Sequence, residues 1–171
     1  MSKISLCSLL TLLLLFPIAC SNQEAEYIGI VKDHASPDGN TTFGQVLESK
    51  FNNAKWNAQI NGDQARVIFT GQVSENAKRC INAHTFSMVE EDHRYFEAPQ
   101  YFRSHRERRD ILFNDNRVEV GDAVEIEFII NTSTKEVRSA NLKSFQFKFK
   151  PEYDDRRLDI LLKAIFSKLC Q

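Results

Sequence analysis

The chain has 171 residues, with 22 Lys and Arg against 23 Asp and Glu and a formal charge of -1 at pH 7. That balance gives no general attraction to nucleic acid, and 42% hydrophobic with 26% charged residues is the composition of a folded domain, not of a disordered or fibrous chain. Phenylalanine is frequent, at 13 residues, so a Phe-rich core is expected.

The N-terminus carries an address. Lys3 supplies a short positive region, Ile4 to Ala19 are nearly uncharged, and Ile18-Ala19-Cys20 leads through aliphatic and small residues to a cysteine, which is the layout of a secretory signal. With Cys20 at the junction the segment resembles a bacterial lipoprotein signal, although Pro17 stands where that family prefers Leu, Val or Ile. The resemblance implies a signal peptide over 1–19 and a Cys20 that is acylated, palmitate included, and becomes the first residue of the mature chain. It also implies, through Ser21 in place of an aspartate, an outer-membrane anchor facing the periplasm. The alternatives are an uncleaved anchor, for which the run sits at the short limit of the roughly 20 residues that span a bilayer, and an ordinary signal cut elsewhere.

About 150 residues then remain, enough for one domain. In the oxidising compartment that the signal implies, Cys7 leaves with the signal and Cys20 takes lipid, so Cys80 and Cys170 are expected to form a disulfide. Closing that loop would stabilise the fold by on the order of 4 kcal/mol in the chain-entropy model. The alternative is two unrelated buried thiols. Neither cysteine has a second ligand at zinc spacing, so no metal or other cofactor is expected.

In chain order, residues 20–40 read as a lipid-anchored tether. Asp33, Ser36, Pro37, Asp38 and Gly39 supply turn chemistry, and Tyr27 to Val31 alone could pair as a short strand. A single α+β domain follows over 41–171. Thr42 with Gln45 has capping-box spacing, and Phe43, Val46, Leu47 and Phe51 recur at helical intervals, which predicts a helix from about Thr42 to Asn52. The period then changes to two: Lys55 to Ile60, a turn at Asn61-Gly62 that Asp63-Gln64 could widen, and Ala65 to Val73 predict a hairpin with Val67, Phe69 and Val73 on one face. The segment Thr42 to Gly71, with Lys55-Trp56 and Val67-Ile68-Phe69-Thr70-Gly71, resembles a small helix-and-hairpin domain of membrane-anchored bacterial proteins, which supports an α+β fold without implying an activity. Any amphipathic helix before a tryptophan-bearing hairpin would look similar.

Farther on, Val124, Ile126, Phe128 and Ile130 alternate with Glu125 and Glu127, and Phe145, Phe147 and Phe149 alternate within Val137 to Lys150. Both patterns describe strands with one dry and one wet face. Pro151 stops the sheet, and Asp154 or Asp155 begins a helix with Leu158, Leu161, Leu162, Ile165, Phe166 and Leu169 as its apolar stripe. The expected architecture is a mostly antiparallel sheet of about four or five strands with the N-terminal and C-terminal helices packed on it.

An insertion at about 75–118 interrupts the sheet, and within it Arg79 to Val89 fits either a helix or a strand. After it, Glu90-Glu91-Asp92-His93 is followed by Tyr95, Phe96, Tyr101 and Phe102 and then by Arg103, Arg106, Arg108 and Arg109. Guanidinium groups beside aromatic rings bind phosphate or carboxylate, so this is the candidate binding patch, for a protein or an anionic envelope polymer. The alternative is a solvated helix whose arginines pair with nearby acids. Catalytic motifs are lacking: there is no glycine-rich phosphate loop, no Gly-x-Ser-x-Gly and no His-Glu-x-x-His. The expectation is a non-enzymatic binding or accessory lipoprotein that touches the membrane through Cys20. Its rival is a hydrolase or small-ligand carrier with a pocket lined by some of Trp56, Phe69, Phe128 and Phe147.

Overall fold

The computed structural model describes residues 16–35, 39–91, 104–145 and 157–166. Among these run helices α1 (Phe16–Asp33) and α2 (Phe43–Lys50), strands β1 (Phe51–Asn61) and β2 (Gln64–Val73), helices α3 (Glu75–Glu91) and α4 (His105–Asn116), strands β3 (Ala123–Asn131) and β4 (Val137–Ser144), and helix α5 (Arg157–Phe166). The strands form one antiparallel sheet in the order β1-β2-β3-β4, and the fold is α+β as the two hydrophobic periods predicted.

Local chemistry explains the first half of the fold. Thr42 is the N-cap of α2, its side chain accepting from the Gln45 backbone N–H while Gln45 Oε1 accepts from the Thr42 N–H, so the capping box forms. The helix ends at Lys50, short of the expected Asn52, because Phe51 already has extended backbone and pairs with Val73. The hairpin turn is Gly62-Asp63 between the paired Asn61 and Gln64. Gly62 has φ +62°, as the first central residue of a type II′ turn requires.

The dry faces of β2 and β3 meet directly across the ladder. Ala65 lies opposite Ile130, Val67 opposite Phe128 and Phe69 opposite Ile126, and all six are buried. Aromatic rings build outward from this pair of strands. Phe128 meets Phe43 edge-on at 5.6 Å, Trp56 lies 4.9 Å from Phe69, and Phe51 meets Phe69 at 5.7 Å. Aromatic pairs at such separations add to simple area burial.

Two expectations need correction and one open alternative is decided. First, Tyr27 to Val31 is not a short strand but part of the 18-residue α1. Tyr27 and Val31, one helical turn apart, are both buried, while Asn22 to Glu26 are exposed. Two apolar residues in a polar run gain a dry face because α1 lies against β1, β2 and α2. Secondly, Arg79 to Val89 is helical, and Ala77, Cys80, Ile81, Thr85 and Val89 of α3 are buried at intervals of one turn. Thirdly, α5 is apolar over a wider arc than one stripe: Ile160 and Ala164 are buried as well, and Asp159 and Lys163 form the exposed side with an ion pair at 2.7 Å. That breadth follows from packing against α3, α2 and β4 at once.

Other expectations fall partly or wholly outside the described residues. These are Phe147, Phe149, Asp154, Asp155, Leu169 and Cys170. Phe145 is half-buried against the core just past β4. Cys80 is buried within α3. No helix among the described residues is long and apolar enough to cross a membrane.

A polar staple ties α1 to the rest. Lys32 Nζ is 2.5 Å from Glu48 Oε1 and 5.7 Å from the centre of the Trp56 ring, and Trp56 Nε1 donates to Glu48 at 3.0 Å. The hydrogen bond from Lys32 holds the Glu48 carboxyl below the ordinary carboxylate range; the charge of Lys32 and the Trp56 N–H act the same way, against an opposing effect of burial. A carboxylate lowered on folding stabilises above its unfolded pKa and loses that contribution as pH falls through the folded value. Folding stability should therefore decline on acidification below about pH 4.5, with this pair responsible for less than about 1 kcal/mol, since both side chains are substantially exposed. Thermal melts at pH 7 and pH 3 check this: Glu48→Gln should reduce the difference between them, and an unchanged difference would exclude the staple.

Candidate functional site

The sheet has one face against the helices and one without them among the described elements. On the second face the register sets rows of polar side chains. Asn57 lies opposite Ile68, which lies opposite Glu127 and then Asn141. In the next row come Gln59, Arg66, Ile129 and Ser139, and beyond it Asn61, Gln64 and Asn131. Asn57, Gln59, Asn61, Gln64, Arg66 and Asn141 are exposed, and Ile68 and Ile129 are half-buried between them.

Glu127 organises this face. It stands on the side that the alternation predicted to be wet, yet only 4% of it is exposed. Arg66 Nε donates to Glu127 Oε1, and Lys143 Nζ is 2.8 Å from the other oxygen. Both cations are diagonal neighbours of Glu127, Arg66 on β2 and Lys143 on β4, and diagonal pairs lie within reach of long side chains. Two cations satisfy both oxygens, the condition under which a buried carboxylate is tolerated. Half of the Arg66 side chain remains exposed.

Beside this cluster is an open cleft of about 330 Å³ lined by Gln59, Asn61, Gln64, Arg66, Glu127 and Ile129. Its volume falls within the range of small-ligand sites. Gln59, Asn61 and Gln64 are exposed, so their side-chain amides stand at its rim. A second cleft of similar size lies toward the other end of the same face, lined by Asn53, Lys55, Thr70, Gly71 and Gln72. There Asn53 Nδ2 donates to Gln72 Oε1 at 2.7 Å, so its amides satisfy each other.

The residues singled out from the sequence are distributed differently. Tyr95, Phe96, Tyr101, Phe102 and Arg103 lie outside the described residues. Arg106 is exposed on α4, whereas Arg108 and Arg109 are half-buried. The Arg109 guanidinium lies 5.6 Å from the centre of the Phe86 ring, and Phe86 meets Phe113 edge-on at 5.4 Å. Arg109 therefore serves the packing of α3 on α4 through a cation–π contact. Helix α3 is joined to the connection between α4 and β3 by Asn82, whose amide accepts from the Val118 N–H at 2.8 Å and donates to the Val118 carbonyl at 3.0 Å.

Cys20 lies in α1 near its start and Cys80 inside α3, with neither on the open face. Trp56, Phe69 and Phe128, proposed above as pocket walls, pack on each other, with Phe69 and Phe128 sealed from solvent. Among the described residues no three His, Cys, Asp or Glu side chains are grouped to hold a metal ion. The alternation Asn57, Gln59, Asn61 followed by Gln64 and Arg66 was visible in the sequence, but its meeting with Glu127 depended on register. No family model, curated protein or solved structure matches this chain.

Proposed function

We propose that this protein is a non-enzymatic, lipid-anchored binding module of the cell envelope, held by Cys20 in the outer membrane on its periplasmic side, which takes a carboxylate-bearing glycan polymer on the open face of its sheet. The observation that supports this best is the cleft in which Arg66, held by buried Glu127, stands beside the amides of Gln59, Asn61 and Gln64. Amides donate and accept hydrogen bonds and so match sugar hydroxyls and acetamido groups. A guanidinium anchored through Nε presents its remaining N–H donors to a carboxylate. The ring-filled interior weighs against a carrier with a deep pocket. Cys80 and Cys170 are proposed as the disulfide that ties the C-terminal segment to α3.

Two measurements test this reading. Intact mass of the protein extracted from membranes should show a diacyl or triacyl chain beginning at Cys20, with Cys80 and Cys170 alkylated only after reduction; an unlipidated chain retaining earlier residues would overturn the anchor. Co-sedimentation with insoluble peptidoglycan should show binding that Arg66→Ala weakens about tenfold or more, the effect of losing a charged hydrogen bond. Binding that is absent, or untouched by Arg66→Ala, would overturn the cleft. Loss in Arg106→Ala instead would move the site to α4.

A further inference from the structure

We infer that α1 is a short rigid stalk which holds the domain close to the bilayer, with the tips of both hairpins turned toward the lipid headgroups. This rests on the anchor at Cys20 proposed above. Three observations carry it. The helix is continuous from Phe16 to Asp33, so Cys20 is joined to the fold by helix and not by coil. Tyr27 and Val31 are buried, which fixes the axis of α1 on the sheet, and Tyr27 stands seven residues after Cys20, or about 10 Å at the helical rise. The third is direction. Glu26 pairs with Lys135 in the β3–β4 turn, whereas Lys32, further along the helix, lies over Trp56 in the middle of β1. Passing back from Lys32 to Glu26 thus leads toward the hairpin tips, and continuing to Cys20 leads beyond them.

The two tips form one end of the molecule. The Thr132 N–H donates to the Asp63 carbonyl at 3.0 Å and Thr132 Oγ1 donates to the Gly62 carbonyl at 3.3 Å, which joins the β1–β2 turn to the β3–β4 turn. The mature N-terminus is also suited to remain helical. Ser21 with Glu24 has capping-box spacing, Gln23, Glu24, Ala25 and Glu26 favour helix, and acids in the first turn complement the helix dipole. The cleft bounded by Asn61 and Gln64 then opens at the membrane-proximal end, so the polymer it binds must lie within a few tens of ångströms of the bilayer, roughly one strand length.

Fluorescence quenching tests the stalk. Full-length lipidated protein is reconstituted into phosphatidylethanolamine and phosphatidylglycerol vesicles that contain a lipid with a quencher on its headgroup. A fluorophore is placed at Thr134→Cys, in the β3–β4 turn, or at Gln72→Cys, toward the far end of β2, with the native disulfide left oxidised. The Thr134 label should be quenched several-fold more than the Gln72 label. A flexible Gly-Ser insertion after Asn22 should remove that difference. Equal quenching at both positions, in protein that floats with the vesicles, would overturn the stalk while leaving the anchor intact. Protein that carries no lipid and fails to float would overturn the anchor and the stalk together.

Discussion

Phe128→Ala is expected to destabilise the fold by about 3–5 kcal/mol, the range for removing a large aromatic side chain from a packed core. Phe128 is 1% exposed and sits where three elements meet. Its ring touches Phe43 of α2 edge-on at 5.6 Å and lies 6.3 Å from Trp56 of β1, while Val67 and Ala140 stand directly across the ladder on either side. Ala140 is too small and Val67 too stiff to move into the void, so relaxation recovers little of the loss. At about 2–4 °C per kcal/mol for a chain of this size, the midpoint of thermal unfolding should fall by on the order of 10 °C. Phe128→Leu, which keeps most of the volume, should cost less than half as much. Urea unfolding of both variants checks the pair, and a loss below about 1 kcal/mol for the alanine variant would mean that the ring cluster is not the core.

Gly71→Val is expected to be comparably damaging for the opposite reason. A Cβ at position 71 would lie 2.8 Å from the Phe51 Cβ, closer than Cβ atoms approach neighbours in folded proteins, and 3.0 Å from the Phe69 Cζ, tighter than most such contacts. Phe51 and Phe69 are 3% and 0% exposed, so neither ring can swing into solvent without opening the core. Even Gly71→Ala should cost about 1–3 kcal/mol through overpacking, and the branched valine more. The neighbouring Gln72→Ala, on the wet face of the same strand, should change stability by less than about 0.5 kcal/mol. Denaturant unfolding of the three variants separates crowding from a general intolerance of β2: similar losses at both positions would remove the steric account.

The sequence made the local elements readable wherever the signal was complete within a few residues. The Thr42–Gln45 capping box, the Gly62 turn and the alternation Val124, Ile126, Phe128, Ile130 each state their structure without reference to distant residues. Helix α1 could not be read this way. Its dry face consists of Tyr27 and Val31 within a polar run, and such a pair becomes a packing face only when β1 and α2 are beside it. Helix α3 was ambiguous because Cys80, His84 and Thr85 blur its apolar period, and the burial of Thr85 depends on the helices that enclose it. The width of the buried arc on α5 likewise depended on having three neighbours.

Charge was the least readable property. Alternation placed Glu127 among solvent-facing residues, and it does occupy that face, but diagonal contacts from Arg66 and Lys143 close over it. Those contacts require the pairing of Arg66 with Ile129 and of Glu127 with Asn141, which is a property of two strand registers. The arginine series read as a binding patch shows the converse, since Arg109 is directed by helix packing onto Phe86.

What the sequence by itself determined is therefore the fold class and the positions of α2, the first hairpin and β3, because backbone hydrogen bonding, turn geometry and side-chain period act over a few residues. Only the tertiary structure decided that the N-terminal segment is a packed helix, that Phe69 and Phe128 close the core instead of lining a pocket, and that Arg66 and Glu127 share a cleft with three open amides. Each of those outcomes is an interaction between residues far apart in the chain, and its free energy exists only once the sheet has brought them together.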